Sequence, residues 1–320
     1  MRVCWIERTR SLGYNRTLST MLINLTCLIV LFGCIGDAYC WGPAAHLHYA
    51  FESLNSLSLY SSTVAAALAQ NPMAFFYGCV GADIVLAKKL GNDATHCHRW
   101  DNAMKLYDQA PNPKVQAFAL GYLSHLAADT ISHNCYVPSK TVESFESGVL
   151  KHLYWEMRFD QKVTTSKTLR LFQEIAQGSF RECDEHMEQL IPTRLFNFAW
   201  NKKIFNRLLI VQSMEQWQRM LTNMGKSEVH ALSEEEFEFF KGNATNVVID
   251  FLKNMDTSQA VQNDPIGEVR LRQANALRRH YVVTHKSHPE ETKVLAAKVF
   301  SAFKSSPEGT IRIEDYQIKI

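Results

Sequence analysis

The stretch at residues 119–137, ALGYLSHLAADTISHNCYV, constrains this chain more than any other. It carries His125, Asp129 and His133 in the spacing H-x3-D-x3-H. In a helix, each step of four residues advances about 400° and rises about 6 Å, so the three side chains share one stripe. Apolar residues cover nearly every other face, and a helix that is apolar all round belongs in a core. The sequence therefore predicts a buried helix with a polar stripe.

This polar stripe predicts one of two arrangements. Nitrogen and carboxylate donors that a rigid, buried scaffold holds on one face are the ligands of a zinc site. The alternative is that a backbone carbonyl satisfies each histidine separately, which is the common arrangement for a lone buried histidine. The stripe alone leaves both arrangements open.

The N-terminal 40 residues have the pattern of an export signal. Four arginines precede an apolar run at residues 21–32, and the small residues Ala38 and Cys40 lie just before Trp41. A basic region, a short apolar run and small residues before the cut are typical of such signals. We predict cleavage before Trp41 and a periplasmic or secreted mature protein. Lipidation at Cys34 is the alternative, because LFGC loosely resembles a lipoprotein cleavage box.

Export would also determine the charge and redox state of the mature chain. The whole chain has a net charge of +2, and residues 1–40 contain four arginines and two acidic residues, so the mature chain is neutral. Neutrality disfavours nucleic acid as a partner. In an oxidising compartment the mature cysteines could form up to two disulfides. These cysteines are Cys79, Cys97, Cys135 and Cys183, and Cys97–Cys135 is the preferred pair.

Helix signals predominate along the mature chain. Pro43 suits the first turn of a helix, Asn112 is a predicted N-cap for the buried helix, and Pro138 is predicted to close the connection after it. Further along, Ser233 begins a capping box and Gly242 predicts the end of that helix. The sequence shows no convincing run of alternating strands, so an all-α fold is expected.

Nine candidate ligands occur in spaced pairings over the first part of the mature chain. The pairings are Trp41-x4-His46, Asp83-x14-His98, His125-x3-Asp129-x3-His133 and His152-x3-Glu156. Trp41 belongs to this set through the free amine that cleavage would create. Nine ligands are too many for one tetrahedral ion, so the pairings predict a cluster of ions.

The same region resembles the zinc-dependent phospholipase C family. That family is related in fold to fungal single-strand-specific zinc nucleases and to the catalytic domain of glycosylphosphatidylinositol-specific phospholipase D. The resemblance lies in the motifs WGPAAH, GADI, HCHRW, GYLSHLAADTISHN and HLYWEMRFD, in that order. It implies a multi-helix catalytic core with a cluster site at residues 41–160. Residues 161–320 are then expected to form further C-terminal helices packed on the core.

The resemblance also implies three zinc ions and their ligands. One ion would be held by Asp83, His98, His125 and Asp129. Asp129 would bridge to a second ion, bound by His46 and by the amine and carbonyl of Trp41. The third ion would take His133, His152 and Glu156. Asp83 would serve as both ligand and general base.

Two histidines are left over from this assignment. His48 lies about 200° around a helix from His46 and is expected to be structural. His96 is an alternative to His98, but the 14-residue gap from Asp83 matches the nuclease pattern and favours His98.

Two features depart from the best-known relatives. Three residues separate Asp129 from His133, where bacterial phospholipases and the nucleases have five, and this step resembles the phospholipase D branch. The last motif ends in Glu156, as in phospholipases, where the nucleases have aspartate.

The expected function is hydrolysis of phospholipid or related lipid phosphodiesters by a metal-activated hydroxide, with a peripheral contact to the membrane. One alternative is a single-strand nuclease of the same fold, which would take nucleic acid as its partner. The other is a non-catalytic zinc-binding envelope protein.

Overall fold

The computed structural model describes residues 41–85, 96–146, 152–191, 197–224 and 231–305. These residues form helices and connecting turns and contain no strand. The predicted all-α fold is therefore confirmed. The predicted export signal lies outside the described residues. No helix of the described ranges is long and apolar enough to cross a membrane.

Local signals explain how the first helices begin. Helix α1 (Pro43–Asn55) has its proline in the first turn, as predicted. Ser61 caps α2 (Ser62–Gln70) by accepting a hydrogen bond from the Val64 N–H. Helix α3 (Pro72–Gly81) follows and continues into a 3-10 turn, Ala82–Ile84. The first half then adds α4 (Trp100–Asp108).

The predicted central helix is α5 (Pro113–Ile131), and it is buried along most of its length. Asn112 caps it as expected, because its Oδ1 accepts a hydrogen bond from the Val115 N–H at 3.0 Å. The helix does not stop at its polar stripe. It widens into a π-helical turn, Ser132–Tyr136, and continues as α6 (Val137–Glu143).

Pro138 therefore lies in the first turn of α6, and the prediction that it closes the connection is wrong. Because the helix is continuous here, Pro138 removes the hydrogen bond that its N–H would make to the residue four before it. That residue is Asn134, and its carbonyl instead accepts a hydrogen bond from Arg270 Nε at 3.0 Å.

Helices α3 and α5 cross at unusually short range. Gly78 and Gly121 face each other at the crossing, where a Cβ on Gly78 would lie 3.0 Å from the Gly121 Cα. Only glycine has no Cβ, so only glycine lets the two backbones approach this closely. The crossing positions the stripe of α5 beside the 3-10 turn that carries Asp83.

The second half of the described chain is also helical. Its helices are α7 (His152–Val163), α8 (Ser166–Gln177), α9 (Arg181–Leu190), α10 (Phe198–Gln212), α11 (Glu215–Met224), α12 (Glu234–Asn254), α13 (Glu268–Thr284) and α14 (Pro289–Ser305). The Ser233–Glu236 capping box is confirmed at the start of α12. Gly242, predicted to end that helix, lies inside it. A Cβ there would meet no atom within 4 Å, so nothing requires the helix to break.

Two groups of apolar side chains hold these helices together. The larger core runs from Trp41 to Ala260 and includes side chains of α1, α3, α5, α7 and α12. A smaller cluster joins α6, α13 and α14 through residues such as Tyr281 and Phe303. Helices of the C-terminal part thus pack against α5, α6 and the π-helical turn. The division into a core at residues 41–160 and an extension at residues 161–320 stays a prediction.

Candidate metal centre

Four of the predicted ligands direct their side chains to one point beside α5. His98 Nε2 lies 3.6 Å from Asp83 Oδ1 and 3.4 Å from Asp129 Oδ2. His125 Nε2 lies 3.8 Å and 3.1 Å from the same two oxygens. The two imidazole Nε2 atoms are 3.1 Å apart. The 3-10 turn after α3, the segment before α4, and α5 therefore bring together the ligand set predicted for one ion.

His46 joins this group from α1. Its Nε2 lies 3.5 Å from Asp129 Oδ1, and its ring stacks on the ring of His125 with centroids 3.8 Å apart. Asp129 consequently faces His46 with one oxygen and the pair His98 and His125 with the other. That arrangement suits a carboxylate shared by two ions.

Hydrogen bonds fix the direction of the ligand nitrogens. His125 Nδ1 lies 2.9 Å from the Cys79 carbonyl oxygen. A carbonyl can only accept, so Nδ1 carries the hydrogen and the Nε2 lone pair faces Asp83 and Asp129. On the other histidine, Nδ1 of His98 lies 3.2 Å from Cys97 Sγ. Such outer contacts orient the rings of metal-binding histidines.

The last three predicted ligands form a separate group. Glu156 Oε1, on α7, lies 2.7 Å from His152 Nε2 and 3.9 Å from His133 Nε2. The ligand atoms of His133, His152 and Glu156 lie within 4.8 Å of one another. His133 and Asp129 are on successive turns of the same helical segment, so α5 and its π-helical turn serve both groups.

The buried carboxylates show that these groups fit a metal. Asp129 and Glu156 are 0% and 1% exposed, and no described residue gives their oxygens a hydrogen bond of normal geometry. Burial raises the pKa of Glu156 well above its usual range, although His133 lowers it. Burial also raises the pKa of Asp129, but His125, His46 and His133 together outweigh burial and lower it. Carboxylates so buried need a cation nearby, and histidine with carboxylate is a donor set for zinc.

Comparison with known proteins agrees with this geometry. The model of the zinc dependent phospholipase C family matches residues 45–208, just over half of the chain. The chain belongs to this family. Neither the curated proteins nor the solved structures give a match. Family membership supports a zinc-dependent hydrolase with a phosphodiesterase-like function, in agreement with the donor set.

Trp41, the remaining predicted ligand, is held beside this family site by its side chain. Its ring is fully buried and stacks on Phe159 with centroids 4.7 Å apart, with Tyr49 and Tyr136 close by. The ring therefore anchors the chain just before α1, five residues ahead of His46. Coordination through its amine and carbonyl stays a prediction.

The two leftover histidines have different surroundings. His48 lies outside the ligand groups, and its pKa is lowered by burial while Glu52 raises it. His96 lies near the site: its Nδ1 accepts a hydrogen bond from the backbone N–H of His98 at 3.1 Å. His98, rather than His96, directs its Nε2 towards Asp83 and Asp129.

The four cysteines of the described chain are free and buried, so the predicted Cys97–Cys135 disulfide is wrong. The two sulfurs face different partners, because Cys97 lies against His98 and Cys135 against Arg270. Burial raises the pKa of the Cys135 thiol to about 12, against the lowering effect of Arg270.

One residue that supports the site was missed in the sequence. Asp160 is buried and accepts hydrogen bonds from the first N–H groups of α1, from Ala44 at 3.1 Å and from Ala45 at 2.8 Å. A Cβ on Gly42 would lie 2.8 Å from Asp160 Oδ1, so glycine is needed at this close approach. Asp160 thus caps the helix that carries His46. Its position four residues after Glu156, on the same face of α7, was an available signal.

We expect Asp160 to make the metal-free protein less stable as pH rises from about 4 to about 7. Burial raises its pKa to about 7, although the Ala45 and Ala44 N–H groups lower it. Between these two pH values the folded chain binds a proton that the unfolded chain has already released. The stabilising contribution of Asp160 is therefore full below about pH 4 and lost by about pH 7. Asp160→Asn should remove a slope of up to about 1.4 kcal/mol per pH unit.

Urea unfolding with a chelator at several pH values would measure this slope. Asp184→Asn is the matched control, because that carboxylate is paired with Tyr77 and Lys202 outside the ligand groups. An unchanged slope in Asp160→Asn would contradict the prediction.

Proposed function

We propose that this chain is an exported zinc-dependent phosphodiesterase that hydrolyses phospholipids or related lipid phosphodiesters in the manner of a phospholipase C. The observation that carries the proposal is the pair of ligand groups on one buried helical segment, with Asp129 in one and His133 in the other. The first group contains a carboxylate, Asp129, that two ions could share, and the second group could hold one more ion, so the two groups together suit three ions. A cluster can contact several oxygens of one phosphodiester.

Zinc, when bound, supplies positive charge for the phosphoryl oxygens and a water nucleophile that is available near neutral pH. The side chains of the protein determine where that chemistry happens. Asp129 is buried, and its two oxygens face His46 and His125 respectively, so its role is to hold the first ligand group together. Asp83 is the least buried of the three site carboxylates, with a side chain 8% exposed. It is the carboxylate best placed to accept a proton from an incoming water.

Two features support lipid rather than nucleic acid as substrate. Glu156 is the residue type of the phospholipases at that position, and the chain after residue 40 has no net positive charge to attract a polyanion. A lipid substrate also implies a peripheral contact with a membrane, since the headgroup must enter the site from a bilayer. Cleavage before Trp41 and release to the periplasm or the medium complete the proposal.

A substrate panel tests the proposal. Protein that begins at Trp41 would be analysed for zinc by mass spectrometry and assayed on a choline phospholipid, a phosphatidylinositol and single-stranded DNA. We expect three zinc equivalents and cleavage of lipid but not of DNA. Cleavage of DNA alone would establish the nuclease alternative. Zinc without turnover of any substrate would favour the non-catalytic protein.

The same protein with one methionine before Trp41 is a matched comparison. The α-amine then becomes a peptide nitrogen, which is no longer a basic ligand. We expect one zinc equivalent fewer and loss of most activity. Helix α1 should stay in place, still capped by Asp160. Full zinc content and activity in the extended protein would show that the Trp41 amine is not a ligand.

A further inference from the structure

A loop from the C-terminal part of the chain contacts the most C-terminal ligand of the α5 stripe. His133 Nδ1 lies 2.6 Å from the carbonyl oxygen of Pro265, and both atoms are buried from solvent. Because a carbonyl can only accept, Nδ1 carries the hydrogen. The Nε2 lone pair of His133 is thereby directed at the group containing His152 and Glu156.

Hydrogen bonds hold the loop at residues 263–267 against the π-helical turn and α4. Asn134, next to His133, donates from Nδ2 to the carbonyls of Thr130 and Asp264, both at 2.8 Å. Trp100, the first residue of α4, donates from Nε1 to the Asn263 carbonyl at 2.9 Å. The loop is therefore attached both to the ligand-bearing helix and to α4.

The loop also has a defined internal conformation. Asp264 accepts hydrogen bonds from the N–H of Ile266 and of Glu268, each at 3.0 Å, and so closes the turn and caps α13. Gly267 has a positive φ of 64°, which favours glycine. A Cβ at Gly267 would lie 2.5 Å from the His133 carbonyl oxygen and 2.7 Å from its carbonyl carbon.

The π-helical turn of the ligand-bearing segment supplies another contact. Such a turn alters the regular i→i+4 pattern and often occurs at functional sites. Arg270, 3% exposed, donates from Nε to the Asn134 carbonyl within this turn at 3.0 Å. The start of α13 therefore supports the backbone at the residue next to His133.

We infer that the 263–267 loop is a positioning element for the zinc ion held by His133, His152 and Glu156. It acts by fixing the tautomer and orientation of His133 through the Pro265 carbonyl. This inference rests on the three-ion site proposed above. The loop lies beyond residues 45–208, the region that matches the family. A part of the chain outside that region therefore has a role at the site.

Gly267→Ala tests the inference, with Gly242→Ala as the matched control. The first substitution places a methyl group against the His133 backbone, whereas the second places the same group where nothing lies within 4 Å. Zinc equivalents would be counted during titration with a chelator. We expect Gly267→Ala to weaken one of the three equivalents by about 10–100-fold, as loss of outer-shell support does, with the other two unchanged.

A second measurement needs neither zinc nor substrate. Nitrogen-15 NMR of the histidine side chains in the metal-free protein reports which ring nitrogen carries the hydrogen. The His133 signal, assigned through its absence in His133→Gln, should show hydrogen at Nδ1 in the wild-type protein and in Gly242→Ala. It should lose that preference in Gly267→Ala. This measurement still decides the inference if the wild-type protein proves to bind fewer ions or to lack phosphodiesterase activity.

Asp264→Ala provides a second variant if Gly267→Ala does not fold, because it removes the side chain that closes the turn. Asp264→Asn keeps an acceptor for the Ile266 N–H and should therefore retain part of the wild-type zinc affinity that Asp264→Ala loses. Three equivalents of wild-type affinity together with an unchanged His133 tautomer in these variants would overturn the inference. An equal weakening of all three equivalents would overturn it as well, since that points to general destabilisation.

Discussion

Asp129→Asn is expected to lower zinc affinity at two of the three ions and to reduce phosphodiester hydrolysis by more than about 100-fold. One oxygen of Asp129 faces His46, and the other faces His98 and His125. The amide keeps the size of the side chain but loses its charge and replaces one oxygen with a nitrogen that does not bind metal. Loss of outer-shell groups alone costs about 10–100-fold, so loss of a shared ligand should cost more.

Zinc titration and the lipid assay on the same preparation would measure both effects. Asp184→Asn is again the control, because it makes the same chemical change at a carboxylate that binds Tyr77 and Lys202. It should keep all three equivalents. Loss of a single equivalent in Asp129→Asn would mean that Asp129 serves one ion, and loss of none would mean that it is not a ligand.

Gly78→Ala is expected to destabilise the metal-free protein by about 3 kcal/mol, at the upper end of typical overpacking costs. The new Cβ would lie 2.8 Å from the Phe118 carbonyl carbon and 3.0 Å from the Gly121 Cα, both of which are backbone atoms that cannot rotate away. Helices α3 and α5 would have to separate. Zinc affinity should fall too, because Asp83 follows α3 and His125 is on α5.

Gly242→Ala is expected to stabilise the metal-free protein, the opposite of Gly78→Ala. It lies within α12 with nothing near its added Cβ, so alanine should stabilise the helix by about 0.5–1 kcal/mol. Thermal unfolding with a chelator would compare the two variants directly. Equal melting temperatures would show that the α3–α5 crossing tolerates a methyl group.

Local patterns in the sequence determined where several helices begin. Asn112 and Ser233 both accept hydrogen bonds from N–H groups three residues away, as their positions predicted. Each of these contacts joins residues three apart in the chain, so the local sequence is enough to predict it. The wrong predictions at Gly242 and Pro138 have the same origin, because a local signal does not reveal what packs around it.

The spacing of histidines and carboxylates determined the donor set of the site. Helical periodicity placed His125, Asp129 and His133 on one stripe, and the structure brings the other predicted side-chain ligands to two places along that stripe. The sequence did not predict the π-helical turn at residues 132–136. That turn accepts a hydrogen bond from Arg270, which lies more than a hundred residues further along the chain, and no local pattern reveals such a contact.

Tertiary structure alone decided which groups support the ligands. Asp160 reaches the first N–H groups of α1, and the Pro265 carbonyl meets His133, each across more than a hundred residues. One partner in each pair is a backbone group. Every residue type provides a carbonyl, and every type except proline provides an N–H. No residue letter marks such a partner. The residue types of the metal centre were therefore determined by the sequence, whereas their orientation depends on backbone groups that only the folded chain brings near.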